Sequence, residues 1–359
     1  MCPFFLKTTF HTFATVIHHI MQSENDYTTT AAGRFAPSPT GRMHLGNLFT
    51  ALLSWLSVRQ RGGRWVLRIE DLDPQRSKQA FAEQIEDDLL WLGLQWDEGG
   101  LDNIGPNGPY RQSMRHGFYC KALDRLRKTG LTYPCFCTRS DIMATQAPHQ
   151  SDGRVIYQGT CRPTSLPHHI AEPTSPHATR LYVPDEQITF TDTIFGSQTT
   201  NLTHECGDFI LRRADGAWAY QLAVVIDDAS MGITEVVRGN DLLLSTAQQI
   251  YLYRLLGLPI PRFAHLPLIC NLSMQRLSKR DNSMSMSHLR QHYTPEEIIG
   301  CLAYMAGLIP SPTPCRANEL IDKFNWSSIP ATASIPVPSD LSAIGSNQIT
   351  HIKIPHQHN

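Results

Sequence analysis

Residues 34–47 contain the side chains best suited to binding a phosphate. They read Arg-Phe-Ala-Pro-Ser-Pro-Thr-Gly-Arg-Met-His-Leu-Gly-Asn, and the prolines end a strand before a helix begins. A helix N-terminus presents unpaired N–H groups and the positive end of its dipole, and Gly46 lets a ligand approach it. His44 and Asn47 share one face of the first turn, so both can donate to phosphate oxygens. The alternative is an ordinary strand–loop–helix corner with a surface histidine.

A second candidate segment, residues 276–280, reads Arg-Leu-Ser-Lys-Arg and follows the apolar residues 267–270. A small polar Ser278 beside Lys279, in a loop after a strand, suits a mobile clamp on a triphosphate. A basic pentapeptide by itself is usually a solvated surface loop. The interpretation of residues 276–280 as a triphosphate clamp therefore depends on the presence of the phosphate site at residues 34–47.

Three cysteines, Cys135, Cys137 and Cys161, form a candidate metal site. Thiolates are soft ligands that suit Zn²⁺, and a tetrahedral structural site requires a fourth donor. The alternative is three idle thiols. The candidates for the fourth ligand are Tyr157, His149 and the pair His204 and Cys206.

The elements that must position these residues follow a strand–helix rhythm. Residues 33–35 end a strand, and residues 64–69 form a second strand that leads into the acidic turn 70–73. Helical spacing follows each strand, which predicts a parallel sheet covered by helices. The apolar run 219–226 is predicted to be a buried central strand of this sheet.

Composition limits the possible partners and compartments. The chain has 359 residues, with 31 Lys+Arg against 32 Asp+Glu, so any nucleic acid must bind a local basic patch rather than a global positive field. Nine scattered cysteines do not form a disulfide framework and are typical of a reducing cytoplasm. No stretch approaches the roughly 20 apolar residues of a membrane span. We expect a cytoplasmic protein without a membrane partner.

The motifs together resemble those of class I aminoacyl-tRNA synthetases. Residues 44–47 correspond to the HIGH-type motif of that class, and residues 276–280 correspond to its KMSKS-type motif. Asn47 replaces the usual second histidine, and the second motif keeps the inner Lys279. Four further segments match the glutamate branch of the class: 34–41, 68–73, 220–223 and 237–239.

The resemblance implies an activation of L-glutamate by ATP with Mg²⁺. Arginine forks would bind the two carboxylates of glutamate, and Glu70 would bind its ammonium group. The residues implied at glutamate are Arg34, Phe35, Ala36, Pro37, Ser38, Glu70, Tyr220 and Arg238. Those implied at ATP are His44, Gly46, Ser278 and Lys279, and the catalytic residues would be His44, Asn47 and Lys279.

The resemblance also implies one structural Zn²⁺ ion and a domain organisation. Tyr157 would join Cys135, Cys137 and Cys161 as the fourth zinc ligand. The fold class expected is α/β, a Rossmann-like parallel sheet with an inserted zinc-binding subdomain. The predicted units are a disordered tail (1–32), the first half of the catalytic domain (33–132), the zinc-binding insertion (133–205), the second half of the catalytic domain (206–285), a helical remnant that contacts the tRNA stem (286–328) and a disordered tail (329–359).

Too few residues follow position 280 for a separate anticodon-binding domain, since an independent domain usually needs about 100 residues. In this shortened form the chain resembles members of the class that transfer glutamate to the queuosine base in the anticodon loop of tRNA(Asp), and not to the terminal ribose. The resemblance implies that activity, and we also expect a monomer. One alternative is a truncated glutamyl-tRNA synthetase that charges the acceptor end. Another is an inactive paralogue that only binds RNA.

Overall fold

The computed structural model describes residues 30–144, 156–166, 173–271 and 284–338. Four sequence-based predictions therefore lie wholly or largely outside the described residues. They concern nearly all of the N-terminal tail, the loop 276–280 with Ser278 and Lys279, the candidate ligand His149, and residues 339–359 of the C-terminal tail.

The described residues form twelve strands and nine α-helices. The strands are β1 (Ala32–Phe35), β2 (Arg64–Leu67), β3 (Glu98–Gly99), β4 (Thr132–Cys135), β5 (Ala178–Leu181), β6 (Gln187–Asp192), β7 (Gly196–Asn201), β8 (Phe209–Arg212), β9 (Glu235–Gly239), β10 (Arg262–Leu266), β11 (Leu268–Cys270) and β12 (Ser334–Pro336). The helices are α1 (Leu45–Gln60), α2 (Gln79–Trp91), α3 (His116–Lys128), α4 (Arg139–Ala144), α5 (Leu202–Glu205), α6 (Tyr220–Ser230), α7 (Leu243–Leu256), α8 (Met286–His292) and α9 (Pro295–Met305).

The central sheet has seven strands in the order β3-β2-β1-β9-β10-β6-β7. All neighbours are parallel except β6 and β7, which form an antiparallel hairpin at one edge. The α/β class and the mainly parallel sheet predicted from the sequence are confirmed.

Helices cover both faces of this sheet. Adjacent residues in each strand point to opposite faces, so they pack against different helices. Val237 and Ala264 pack on one side with apolar residues of α1, α2 and α9. Their neighbours Val236 and Phe263 pack on the other side with α3, α6 and α7. The central strands are therefore apolar at successive positions, as expected for a sheet that is buried on both faces.

The predicted central strand at 219–226 is wrong, because these residues belong largely to helix α6. The central positions of the sheet are taken by β1, β9 and β10. Helix α6 is buried from Leu222 to Asp228, so it has no polar face to reveal a helical period. A short apolar run cannot by itself distinguish a buried helix from a buried strand.

The segment 133–205 contributes to two different sheets. Strands β4 and β5 join β8 in a separate three-stranded antiparallel sheet. The hairpin of β6 and β7 instead extends the central sheet, with Asp192 paired to Phe263 of β10. Nothing local in the sequence indicates this second pairing, because its partner strand lies far along the chain.

The C-terminal segment 329–359 was predicted to be disordered, which is wrong for residues 334–336. They form β12, which pairs in parallel with β11 through Ile269 and Ile335. The segment is rich in proline and lacks periodicity, so only its distant partner strand determines this conformation. Among the helices of the described ranges, none has the length and hydrophobicity needed to cross a membrane.

We predict that Gly300→Ala destabilises the protein. A Cβ atom at this helix position would lie 2.1 Å from the carbonyl oxygen of Thr313, a backbone atom that cannot move without shifting its loop. We expect the free energy of unfolding in urea to fall by about 1–3 kcal/mol. The matched control is Gly117→Ala in α3, where a Cβ meets no atom within 4 Å and alanine favours the helix. Equal unfolding free energies for the two variants would contradict the prediction.

Candidate active site and metal centre

A cavity of about 490 Å³ opens at the carboxyl ends of β1, β9 and β10, beside the start of α1. Ligands of open parallel sheets bind at this edge. Its walls include every described residue that the sequence assigned to glutamate or ATP, namely Arg34, Phe35, Ala36, Pro37, Ser38, His44, Gly46, Asn47, Glu70, Tyr220 and Arg238.

The first turn of α1 is held by a capping box between His44 and Asn47. The backbone N–H of Gly46 donates to Nδ1 of His44 at 3.2 Å, and the backbone N–H of His44 donates to Oδ1 of Asn47 at 3.1 Å. Because Nδ1 accepts a hydrogen bond, the neutral imidazole carries its proton on Nε2. Both side chains thus have a defined orientation at a helix N-terminus, where an anion is favoured.

Behind the lining residues Arg34 and Glu70 lies a cluster of buried ion pairs centred on Asp228 of α6, which we call the floor of the cavity. Its Oδ1 lies 2.6 Å from Nη1 of Arg68 and 3.3 Å from Nε of Arg34. Burial opposes the ionisation of Asp228, but the two arginines outweigh it and hold its pKa below the usual range. Asp228 therefore remains charged and fixes the position of both arginines.

Glu70 and Tyr220 complete this side of the cavity. Oε1 of Glu70 accepts a hydrogen bond from Nη2 of Arg68 at 3.2 Å. Burial raises the pKa of Glu70 in spite of this arginine, and burial also raises the pKa of Tyr220. The Glu70 carboxylate has thus lost much of its hydration, and a second cation in the cavity, in addition to Arg68, would stabilise its charge.

Asp227, next to Asp228 in the chain, ties the floor of the cavity to α3. Nε of Arg115 lies 2.6 Å from its Oδ1, the amide of Gln112 donates to its Oδ2 at 2.8 Å, and the hydroxyl of Tyr119 also donates to it. The sequence analysis missed both aspartates. The sequence did contain an indication of their role. Two consecutive aspartates at the end of a buried apolar run must be paired with cations or hydrogen-bond donors.

Arg238, at the end of β9, has a different environment from Arg34 and Arg68. Its Nε donates to Nε2 of His265 at 3.1 Å, and its Nη2 donates to Oγ1 of Thr246 at 2.8 Å. Nδ1 of His265 in turn lies 2.6 Å from Oδ2 of Asp192, at the end of β6. The sequence analysis also missed His265 and Asp192, because a lone histidine in an apolar strand has no local mark of function.

The three cysteine sulfurs of the candidate metal centre converge. The Sγ atoms of Cys135, Cys137 and Cys161 lie within 4.8 Å of one another. The phenolic oxygen of Tyr157 lies 3.5 Å from Sγ of Cys135 and 3.9 Å from Sγ of Cys137. A tetrahedral zinc site with Zn–S bonds of about 2.3 Å has donors separated by nearly the same distances. The four side chains therefore fit a zinc ion.

The phenol of Tyr157 would need a nearby cation in order to bind a metal as a phenolate. Burial raises the pKa of its phenol, so ionisation requires a cation close by. The guanidinium of Arg180 lies 3.7 Å from the centre of its ring. The rival ligand His204 is largely exposed and contacts Asp185 instead. Within the described residues, neither His204 nor Cys206 joins the group of three thiols.

Comparison with known proteins agrees with this geometry. Residues 31–337 match the family described as tRNA synthetases class I (E and Q), catalytic domain. The chain belongs to this family. The resemblance to the glutamate branch of the class I synthetases, which the sequence motifs indicated, is thereby confirmed.

Relatives within the family match this chain over nearly their whole length. A glutamyl-Q tRNA(Asp) synthetase of Symbiobacterium thermophilum is 50% identical over 305 residues, which are 83% of this chain and 93% of the relative. One of Nitratidesulfovibrio vulgaris is 44% identical over 313 residues, 86% and 96% of the two chains. A crystal structure of a glutamate tRNA ligase from Elizabethkingia meningosepticum, in complex with its amino acid, has 30% identity and a TM-score of 0.75, and covers 88% of this chain and 68% of that one.

We predict that His265 makes the stability of the protein sensitive to pH. Burial lowers the pKa of His265 from 6.5 to about 4, with Asp192 opposing and Arg238 reinforcing the shift. The unfolded chain therefore takes up a proton near pH 6.5 that the folded chain does not, so stability falls as the pH drops from 7 to 5. Wild type should lose about 2 kcal/mol more of its free energy of unfolding than His265→Gln, which cannot titrate.

Urea unfolding at pH 7 and pH 5 provides the measurement, and the other ionisable groups cancel between the two proteins. Equal losses in both would show that His265 is protonated normally in the folded state.

Proposed function

We propose that this chain is a ligase that activates L-glutamate with ATP and transfers the glutamyl group to queuosine in the anticodon loop of tRNA(Asp). The observation that carries the proposal is the 50% identity over 93% of a relative named glutamyl-Q tRNA(Asp) synthetase. The cavity supports it, because the residues that the glutamate branch uses are brought together there.

The charges of the cavity complement those of glutamate, which carries two carboxylates and one ammonium group. Arg34 and Arg238 line the same cavity and offer planar guanidinium groups to carboxylates. Glu70 has a carboxylate for the ammonium group, and the Tyr220 hydroxyl adds a polar contact. Glutamine has a neutral amide in place of the side-chain carboxylate, so one of the two arginines would lose its anionic partner. The cavity therefore favours glutamate over glutamine.

The reaction needs no nucleophile from the protein. A carboxylate oxygen of glutamate attacks the α-phosphorus of ATP, and pyrophosphate leaves. A hydroxyl of the queuosine cyclopentene-diol then attacks the carbonyl carbon of the mixed anhydride, its proton is lost, and AMP leaves. Positioning and charge stabilisation are therefore the main contributions of the protein to the rate.

The start of α1 is the part of the described structure that suits the phosphates. The Nε2–H of His44, the amide of Asn47 and the N-terminal end of the helix dipole all favour the negative charge that develops during the attack. Mg²⁺ bound with ATP would neutralise phosphate charge. Ser278 and Lys279, which we assign to the same step from the sequence, lie outside the described residues.

We further propose that Cys135, Cys137, Tyr157 and Cys161 bind one structural Zn²⁺ ion. The donor set supports this, since three soft thiolates and one oxygen surround a single point. The ion would hold β4 to the segment around residue 157. We also propose that the protein is cytoplasmic and monomeric. The eight described cysteines support the cytoplasmic location, because none of them forms a disulfide.

Radiolabelled glutamate tests the proposed reaction. With ATP present, we expect label on tRNA(Asp) that contains queuosine and none on tRNA(Asp) that lacks it. Glutamate, but not glutamine, should support ATP–pyrophosphate exchange without any tRNA. Equal labelling of the two tRNA(Asp) pools, or labelling of tRNA(Glu) instead, would indicate charging of the acceptor end. Exchange that appears only when tRNA is added would also indicate the glutamyl-tRNA synthetase, and an absence of exchange both with and without tRNA would identify an inactive RNA-binding paralogue.

Metal analysis tests the zinc centre. Purified wild type should contain one zinc ion per chain, measured by mass spectrometry after extensive dialysis. Cys135→Ser should lose the ion because one thiolate is removed, whereas Tyr157→Phe should keep three thiolates and bind zinc more weakly. Cys120→Ser is the control, since Cys120 lies in α3 outside the cluster. A folded wild type without metal would refute the site.

A further inference from the structure

We infer that Asp192 and His265 act as a positioning pair for Arg238, holding it ready for a carboxylate of the amino-acid substrate without forming an ion pair with it. The inference rests on the proposed function, because it concerns the same amino-acid pocket. It assigns a role in binding to two residues that do not line the cavity.

Arg238 is held by two neutral acceptors and has one nitrogen left over. Nε donates to His265 at 3.1 Å and Nη2 donates to Thr246 at 2.8 Å. Arg238 is only 5% exposed, yet its Nη1 is buried without any hydrogen-bond partner among the described residues. Arg238 lines the cavity and keeps donor capacity that the protein does not use, so a ligand carboxylate bound against its guanidinium gains a strong interaction.

The other arginines of the cavity floor differ in the way their charge is balanced. Arg34 and Arg68 both contact the Asp228 carboxylate, which already neutralises much of their charge. In the described part of the chain, Arg238 makes no ion pair. Its positive charge is thus retained for the substrate.

The hydrogen-bond pattern determines the tautomer of His265. An arginine Nε is always a donor, so Nε2 of His265 must be an acceptor and the proton must be on Nδ1. That proton points to Oδ2 of Asp192 at 2.6 Å, which stabilises this tautomer. The aspartate therefore selects the form of the imidazole that can accept from Arg238, and it does so without touching Arg238 itself.

Asp192 is itself fixed at the turn between β6 and β7. Its Oδ1 accepts from the backbone N–H groups of Ile194 and Phe195 at 3.0 and 2.9 Å, and its Oδ2 accepts from the backbone N–H of His265 at 3.1 Å. All of these partners are donors. An asparagine in its place would direct its NH₂ either at the backbone donors of the turn, which loosens its position, or at Nδ1 of His265, which reverses the histidine tautomer and removes the acceptor for Arg238.

Two substitutions of His265 separate positioning from packing. Glutamine supplies one donor and one acceptor, as the neutral imidazole does, whereas leucine fills a similar volume and supplies neither. We expect His265→Leu to raise the KM for glutamate in ATP–pyrophosphate exchange by about tenfold or more, with the KM for ATP within about twofold of wild type. His265→Gln should recover most of the loss.

Asp192→Asn should resemble His265→Leu, with a raised KM for glutamate. Thr189→Val on the same strand is the control, because Thr189 is exposed and bonds only across the hairpin to Thr199. Thermal unfolding of each variant shows whether it is folded. Should the KM for glutamate be the same in the leucine and glutamine variants, the positioning role is overturned.

The design separates this inference from the proposed function. Exchange by the wild type with glutamate reports on the function alone, and the ratio between the leucine and glutamine variants reports on the pair. A leucine variant that raises both KM values equally would show that His265 only supports packing, and this too would overturn the inference.

Discussion

The buried charges of α6 are the interaction on which the site depends. Asp227 and Asp228 lie in an apolar helix, where an unpaired carboxylate would be prohibitive, and they are paired by Arg34, Arg68 and Arg115. These arginines come from β1, from the end of β2 and from the start of α3. One short helix segment therefore fixes the relative positions of three parts of the chain, and the cavity forms above their meeting point.

A second consequence follows from the uneven distribution of these carboxylates. Arg34 and Arg68 contact Asp228 as a fixed counter-ion, whereas Arg238 donates to the neutral acceptors His265 and Thr246 and feels Asp228 only from beyond ion-pair distance. A fully compensated cavity would be more stable, but it would have little electrostatic preference for an anionic substrate. The free protein accepts a buried N–H without a partner, and this is a usual feature of sites preorganised for a charged ligand.

The segment between β4 and β8 contributes to the molecule in two ways. Its cysteines converge with Tyr157 into a donor set beside the small antiparallel sheet, away from the cavity. Its hairpin instead joins the edge of the central sheet and brings Asp192 against His265. The segment is thus integrated into the central sheet through β6, and the hairpin is linked to Arg238 at the cavity through Asp192 and His265.

The sequence by itself determined the α/β class and the cysteine cluster, and its resemblance to the class I synthetases indicated many of the residues around the cavity. It could do so because the motifs are short segments at strand ends and helix starts, where residue type and spacing can be read without knowledge of the distant packing. The tertiary structure alone decided that residues 220–230 are a helix, that residues 334–336 are a strand, and that Asp228, His265 and Asp192 support the arginines. Each of these depends on burial against partners that are distant in sequence; Asp192 and His265, for example, are 73 positions apart. Burial of that kind produces no hydrophobic periodicity in the sequence.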